Sequence, residues 1–224
     1  MLTFVTGCAD AVGVIALGGA FSSVMTGNMV LLGLSAGATD SALAISCASA
    51  IGAYAVGVLV GAHIAGVPTP QDPVWPAPVT RALLVELGSL IGFLVAWEMT
   101  LDDRSSDLGQ LLLLMVLAAA LGVQGSAIQR FGVPGLSSTY LTGTLTSLIA
   151  GIAARRPLRS MLASAYVLLA LIVGAAVGVL LVVQAPGLAP VIMVVPLAAV
   201  IGVSMTARAA VRPAWSGSTI RTTR

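Results

Sequence analysis

The sequence predicts an all-α, polytopic integral membrane protein, and three observations carry that expectation. Of the 224 residues, 58% are hydrophobic and only 8% are charged, against about a quarter charged in ordinary soluble domains. The mean hydropathy is +1.07. The apolar residues are gathered into eight runs with short polar, charged or proline-rich connections. Because a helix needs about 20 residues to cross the hydrocarbon core, the length allows six to eight crossings, and the lipid bilayer is the first partner.

The runs cover 2–20, 21–37, 41–66, 81–100, 109–130, 134–152, 160–184 and 190–208. The first has no basic leader and contains Asp10, so it reads as a retained helix and not as a cleaved signal. The second is short, interrupted by glycine and closed by Ala38-Thr39-Asp40. The third ends where Pro68, Pro70, Pro73, Pro76 and Pro78 fall within eleven residues, which no helix can run through. The fourth carries Glu86 about one and a half turns in, where its carboxylate is expected to reach the interface. The acidic stretch 101–108 leads to the fifth, which holds Gln124, Ser126 and Gln129. The sixth is again short and is followed by the basic 153–159; the seventh and eighth form a hairpin. The tail 209–224 reads as disordered. Trp75, Trp97 and Trp215 sit beside segment ends, where indoles straddle the lipid-water boundary.

The two halves of the chain resemble each other. A shift of 116 places Ala11, Gly19, Ser22, Thr26, Gly27 and Leu32 on Ala127, Gly135, Ser138, Thr142, Gly143 and Leu148, and one further residue aligns Gly57, Val60 and Gly61 with Gly174, Val177 and Gly178. The chain therefore divides into a first transmembrane repeat, 1–100, and a second, 101–208, of about 110 residues each. Interrupted hydrophobic segments at matching positions of two halves point to a binding site near the midplane of a secondary transporter. Ala53, Gly57, Gly61 and Ala65 form one small-residue stripe, and Ala170, Gly174 and Gly178 another; such stripes let helix backbones approach in lipid.

Arginine supplies all ten basic residues, a compositional bias of the kind a bacterial genome rich in G and C produces. Arg155, Arg156 and Arg159, with four more Arg from 208 onward, place their loop and the C-terminus on the cytoplasmic face of a bacterial inner membrane. If 21–37 and 134–152 are re-entrant, six spans remain, the halves are inverted, Arg81 and Arg130 are also cytoplasmic, and only Arg104 is outside. If all eight segments cross, the halves are parallel and Arg81 and Arg130 face outward. The count favours six spanning helices with two broken or re-entrant segments.

A net charge of +2 scattered along the chain lacks the basic face that nucleic acid requires. Cys8 and Cys47 lie inside apolar runs without partner spacing and read as buried free thiols. One His and two separated Cys support no metal site and no cofactor. Gly33-Leu34-Ser35-Ala36-Gly37 matches a serine-nucleophile pattern. In a continuous helix over 41–66, however, His63 would lie about 33 Å along from the end next to Ser35. An enzyme is not expected.

Asp10 stands midway along its segment, where a charge costs at least about 2.5–3.5 kcal/mol on insertion scales and so must face the protein interior. It reads either as a proton, cation or substrate anchor, or as a carboxyl that ties the broken helix to the hydroxyl-rich element beside it. Its counterpart region holds the neutral Gln124. Ser22, Thr26, Gly27 and Asn28 in one half, with Ser138, Thr142, Gly143 and Thr144 in the other, offer hydroxyls and freed carbonyls to a small cation or polar solute. The same residues would also satisfy backbone at helix breaks.

At Gly7, Asp10-Ala11, Leu17-Gly18-Gly19, Phe21 and Met25-Thr26-Gly27-Asn28, and again at Gly122-Val123-Gln124 and Leu141-Thr142-Gly143-Thr144, the chain resembles the bacterial YoaK family, domain of unknown function 1275. The likeness extends over nearly the whole chain. It implies an inner-membrane protein of about six spans and assigns no activity. Where that family usually has Asn after the Gln, this chain has Gly125.

The expected function is a secondary transporter or permease for a small polar solute or ion, with its site between the repeats. A passive channel, or a non-transporting partner in a membrane assembly, are the alternatives, and a homo-oligomer is compatible with each.

Overall fold

The computed structural model describes residues 1–67, 69, 73, 75–100, 107–130 and 141–211. The expected role of Ser138 lies outside these residues, as do 212–224 of the tail 209–224 expected to be disordered; its first three residues, 209–211, instead continue the last helix. Eight α-helices are present among them: α1 Leu2–Ala16, α2 Met25–Ala38, α3 Ser41–Ala65, α4 Ala77–Met99, α5 Asp107–Gln129, α6 Leu141–Ala153, α7 Leu158–Gln184 and α8 Val191–Val211. Helices α3, α4, α5, α7 and α8 are long and apolar enough to cross a membrane. The protein is therefore a polytopic, all-helical membrane protein.

Two helix ends depart from the sequence expectation, each for a local reason. The first helix stops at Ala16 because Gly18 and Gly19 take φ values of +90° and +80°, a region that only glycine enters freely. Its 15 residues span about 22 Å, short of the roughly 30 Å hydrocarbon core. The fourth helix begins at Ala77, before the expected start at 81, because Pro76 caps it and Pro78 sits in its first turn, where a proline lacks nothing it would otherwise donate. The second and sixth helices, 14 and 13 residues long, are the short segments read from the repeated Thr-Gly pairs.

Two close helix pairs form the frame. Gly57 and Gly61 of α3 lie against the backbone of Ala119 and Val123 of α5, and Gly122 of α5 lies against Tyr54. Gly174 and Gly178 of α7 lie against Phe4 and Cys8 of α1, and Gly7 of α1 against Leu171. The small-residue stripes are thus the contact lines. In both pairs the contacts advance together along the sequence, so α3 runs parallel to α5 and α1 parallel to α7. Cys8 Sγ adds a hydrogen bond to Gly174 O at 3.0 Å. Around this frame α4 packs on α5 and α8, α8 packs on α1, α2 on α3, and α6 on α7.

The two pairs run in opposite directions. The C-terminal end of α1, at Leu17 and Gly18, meets the start of α3 at Ser41 and Ser46 and the start of α5 at Asp107. At the other end of the bundle Gly66, after α3, lies 3.1 Å from Arg130, after α5, measured to a Cβ built on the glycine. The described charges sort accordingly. Asp40, Glu98 and Asp107 stand at one end, and Arg81, Arg130, Arg155, Arg156 and Arg159 at the other. We call these the acidic end and the arginine end.

Between α1 and α3 the chain leaves and returns to the acidic end. It turns at Leu17–Ala20, comes back beside Gly13, where a Cβ would sit 2.6 Å from Ala20 O, and α2 then carries it to Thr39 and the N-cap of α3 at Asp40. The Asp40 carboxylate accepts from Leu43 N at 3.1 Å, which satisfies one orphan donor of that helix. In the same way α6 lies between the end of α5 and the start of α7, which are both at the arginine end.

Trp97 is not at a lipid boundary. It is 1% exposed, stacks beside Phe93 with ring centroids 5.6 Å apart, and donates Nε1–H to Pro186 O at 2.8 Å. Its indole joins the end of α4 to the 3-10 turn Pro186–Leu188 that precedes α8.

Because backbone occupies the space beside Gly57, a Gly57→Val substitution is expected to destabilise the fold by about 3 kcal/mol, as overpacking of a tight interface does. Gly52→Val on the same helix, where nothing lies within 4 Å, is expected to be neutral. Thermal unfolding of the two variants in detergent checks the contrast.

Candidate functional site

One face of α1 carries the polar Thr3, Thr6 and Asp10 at alternating spacings of three and four, continued by Gly13 and, just past the helix, the apolar Leu17. These positions fall on one helical face. All five are buried in the protein. Two polar clusters hang on this stripe, and they differ in how completely their hydrogen bonds are made.

The upper cluster is saturated. Asp10 Oδ1 accepts from Ser22 N at 2.9 Å, Ser22 Oγ at 3.1 Å and Ser23 N at 2.7 Å, and Oδ2 accepts from Ser23 Oγ at 2.6 Å. Asn28 grips the same linker from the other side. Its Oδ1 accepts from Phe21 N at 2.8 Å, and its Nδ2 donates to Phe21 O at 2.7 Å. The backbone between α1 and α2 follows no regular ladder, so its amides must be satisfied by side chains if they are to be buried. Asp10 and Asn28 do this. Of the two readings of Asp10 drawn from the sequence, its hydrogen bonds match the carboxyl that ties the broken helix down.

The lower cluster is incomplete. Gln124 of α5 donates Nε2–H to Glu86 Oε1 of α4 at 2.7 Å and presents its own Oε1 to the hydroxyl of Thr6 on α1 at 3.0 Å. The Thr6 hydroxyl also lies 3.2 Å from Leu2 O, so its single proton is shared between two acceptors. Thr6 and Gln124 are each 1% exposed, and Glu86 is wholly buried. Glu86 Oε2 has no hydrogen-bond partner. Glu86 therefore does not reach the interface as expected. The early start of α4 puts it nine residues into the helix, about 14 Å along a span of about 35 Å, on the arginine side of mid-depth.

The remaining sequence-derived residues are spread out. Ser22 is fully buried in the Asp10 cluster. Thr26 is exposed and Gly27 packs under the Phe21 ring, where a Cβ would meet ring carbons at 3.2 Å. On α6, Thr142 and Gly143 are exposed and nothing lies within 4 Å of Gly143, whereas Thr144 is buried. The two Thr-Gly tips lie on helices packed against α3 and α7 respectively, and side-chain-to-side-chain hydrogen bonds join Thr6 and Glu86 of one half to Gln124 of the other. Ser35 Oγ donates to Leu32 O at 2.8 Å within its own helix, and His63 is exposed near the arginine end of α3.

Thr6 has a sequence signal only after the fact, standing four residues before Asp10 on the same face. Glu86 is the acid that a corrected helix start would have placed deep in the membrane.

The family described as "Protein of unknown function (DUF1275)" matches residues 1–204. The chain is also 30% identical over 213 residues to the UPF0700 transmembrane protein YoaK of Bacillus subtilis (strain 168), an alignment that covers 93% of this chain and 92% of that protein. No solved structure matches.

Replacing Asp10 with Ala strands the amides of Ser22 and Ser23, at about 1–3 kcal/mol for each buried unpaired donor. Asp10→Ala is therefore expected to lower stability by roughly 2–5 kcal/mol on the same scale. Asp10→Asn keeps Oδ1, and the Ser23 hydroxyl can turn to accept from the new amide, so its loss is expected to stay under about 1 kcal/mol. Thermal unfolding in detergent, with proteolysis of the 17–24 linker as a local readout, measures both.

Proposed function

We propose that this chain, which belongs to the DUF1275 family, is a small secondary transporter or permease for a polar solute or ion. Its site is the Thr6–Gln124–Glu86 cluster between the halves 1–100 and 101–208. The observation that carries the reading is the lone oxygen of Glu86. A carboxyl buried in a membrane bundle is costly unless paired, and acids so placed mark ion and proton paths. Here one oxygen is held by Gln124, and the other is left for a proton, an ion or a hydrogen-bond donor on a solute.

The arrangement of helices supports the same reading. Each half is a helix, a short broken helix, a long glycine-striped helix and a fourth helix. The α3–α5 contact and the α1–α7 contact are exchanged when the halves are exchanged, and the halves run in opposite directions. Inverted halves with a polar site at their interface are the architecture of alternating access, in which one unit rocks against the other around a fixed site. The site here is drawn from α1 and α4 of one half and α5 of the other, so relative movement of the halves would change what Glu86 faces.

The charge distribution supports an orientation. With the arginine end cytoplasmic, α8 delivers the C-terminus to the cytoplasm and the short α6 enters from that side, while α2 enters from outside. The setting is a bacterial inner membrane. In this reading Asp10, Ser22 and Asn28 fix the broken element in position, and Thr26, Gly27, Thr142, Gly143 and Thr144 lie on the two short helices that flank the path.

The test is uptake into proteoliposomes of a panel of small polar solutes and ions under an imposed pH or sodium gradient. Glu86→Gln keeps the shape and the bond to Gln124, so the variant is expected to fold while gradient-driven uptake falls by about tenfold or more, as for loss of one charge-assisted contact. Uptake indifferent to every gradient would instead indicate a passive channel. Absence of flux together with copurification of a fixed partner would indicate an assembly component.

A further inference from the structure

We infer that the cargo is a small monovalent cation, and that it enters through a recess at the acidic end whose floor is Leu17. This rests on the transporter reading and adds to it the sign of the cargo and the route.

The sign follows from what lines the interior. Among the described residues, the polar side chains buried as a whole are hydroxyls, amides and the carboxyls of Asp10 and Glu86; Arg130, whose Nε is also buried, lies at the arginine end beside Gly66. An anion moved to this depth would give up its hydration and meet two carboxyls with no positive partner, a loss that nothing on the path repays. A cation meets the opposite balance. Glu86 Oε2 is an acceptor without a donor, and Gln124, which holds Glu86 Oε1, turns its own carbonyl to the Thr6 hydroxyl. Both carboxylate oxygens of Asp10 already accept hydrogen bonds from Ser22 and Ser23, so Asp10 contributes chiefly its field on the way.

The route follows from the stripe on α1. A recess of about 470 Å³ opens at the acidic end between the end of α1 and the starts of α3 and α5. Asp107, Gln110, Ser41 and Ser46 line it, with Leu17 and Gly18 below. Leu17 is 1% exposed and follows Asp10 by seven residues, two turns along the same face. Inward of Leu17 that face has Gly13, against which the linker backbone at Ala20 packs, then Asp10 under Ser22 and Ser23, then Thr6. Leu17, with the linker backbone at Ala20 behind it, thus separates a recess of mixed polar and apolar lining from the polar residues of the stripe. The next two residues, Gly18 and Gly19, hold left-handed backbone that other residues rarely adopt, and they give Leu17 a pliable neighbour on the side where movement would open the way.

The full-length protein in phosphatidylcholine liposomes on a solid-supported membrane tests both parts. Jumps of sodium, potassium and methylammonium at constant pH, and of pH at constant sodium, separate the cation sources; chloride and gluconate serve as accompanying anions. The expected result is a saturable current, or a cation-dependent rise in Tm, that follows one of these cations and is indifferent to the anion. Glu86→Gln is expected to reduce it by about tenfold or more, and Glu86→Asp, which keeps the charge, to retain the preference at weaker affinity. Leu17→Ala is expected to raise the current severalfold with the preference unchanged.

A current that follows the anion would overturn the sign of the cargo and leave the transporter reading standing. An unaltered current in Leu17→Ala would overturn the route. Neither current nor Tm response to any ion, in protein that elutes as a single folded species, would overturn the inference; the gradient-uptake panel above then decides the parent reading by itself.

Discussion

The structure depends on a constraint that water does not impose: inside a bilayer every polar group must be answered by the protein. Leaving a helix at membrane depth exposes backbone, and this chain does so at Leu17 to Val24. The carboxylate of Asp10 and the amide of Asn28 make the departure tolerable by taking up the amides and carbonyl of Phe21, Ser22 and Ser23. An acid that looks anomalous in an apolar helix is in this sense the reason the helix can stop where it does. Because the linker is pinned beside Gly13, α1 can end at the acidic end while α2 starts again deep in the fold.

Glycine contacts set the distances that make the second cluster. The backbones of α3 and α5, and of α1 and α7, approach so closely that a Cβ at Gly57 or Gly174 would fall on a neighbouring carbonyl. Such packing takes the place of the hydrophobic effect, which offers little between helices already in lipid. With these pairs fixed, Gln124 projects from α5 to a point where its amide spans the gap between Thr6 on α1 and Glu86 on α4. The two clusters share the α1 stripe but divide their tasks. Asp10, with four donors, is spent on holding the fold. Glu86, with one, keeps an oxygen without a partner, the feature on which the proposed site rests.

Much of this was legible in the residues, and the rest was hidden for identifiable reasons. The all-helical membrane class follows from composition. The two short helices announce themselves through Gly18-Gly19 and the paired Thr-Gly sequences, and the contact lines through Gly57, Gly61, Gly174 and Gly178. Glu86 was misread because helix starts at proline are ambiguous: Pro78 breaks a helix that precedes it but suits the first turn of one that follows. That four-residue difference moves a carboxyl from the interface to the interior. Thr6 was invisible because a threonine in an apolar helix ordinarily bonds its own backbone, as it partly does here with Leu2 O; its contact with Gln124 joins residues 118 apart, and periodicity carries no trace of that. The Thr-Gly pairs show the converse, since repetition marked the short helices without revealing which side chains on them would be covered.

The central claim is that Glu86, though sealed from solvent in this conformation, exchanges its second oxygen's partner with the outside. Infrared difference spectra of the purified protein in lipid, recorded on cation addition and on a pH step, test it most directly. The account expects a carboxyl band that responds to both, is absent from Glu86→Gln and persists in Asp10→Asn. Spectra in which no carboxyl band responds, or in which the responding band survives Glu86→Gln, would contradict it.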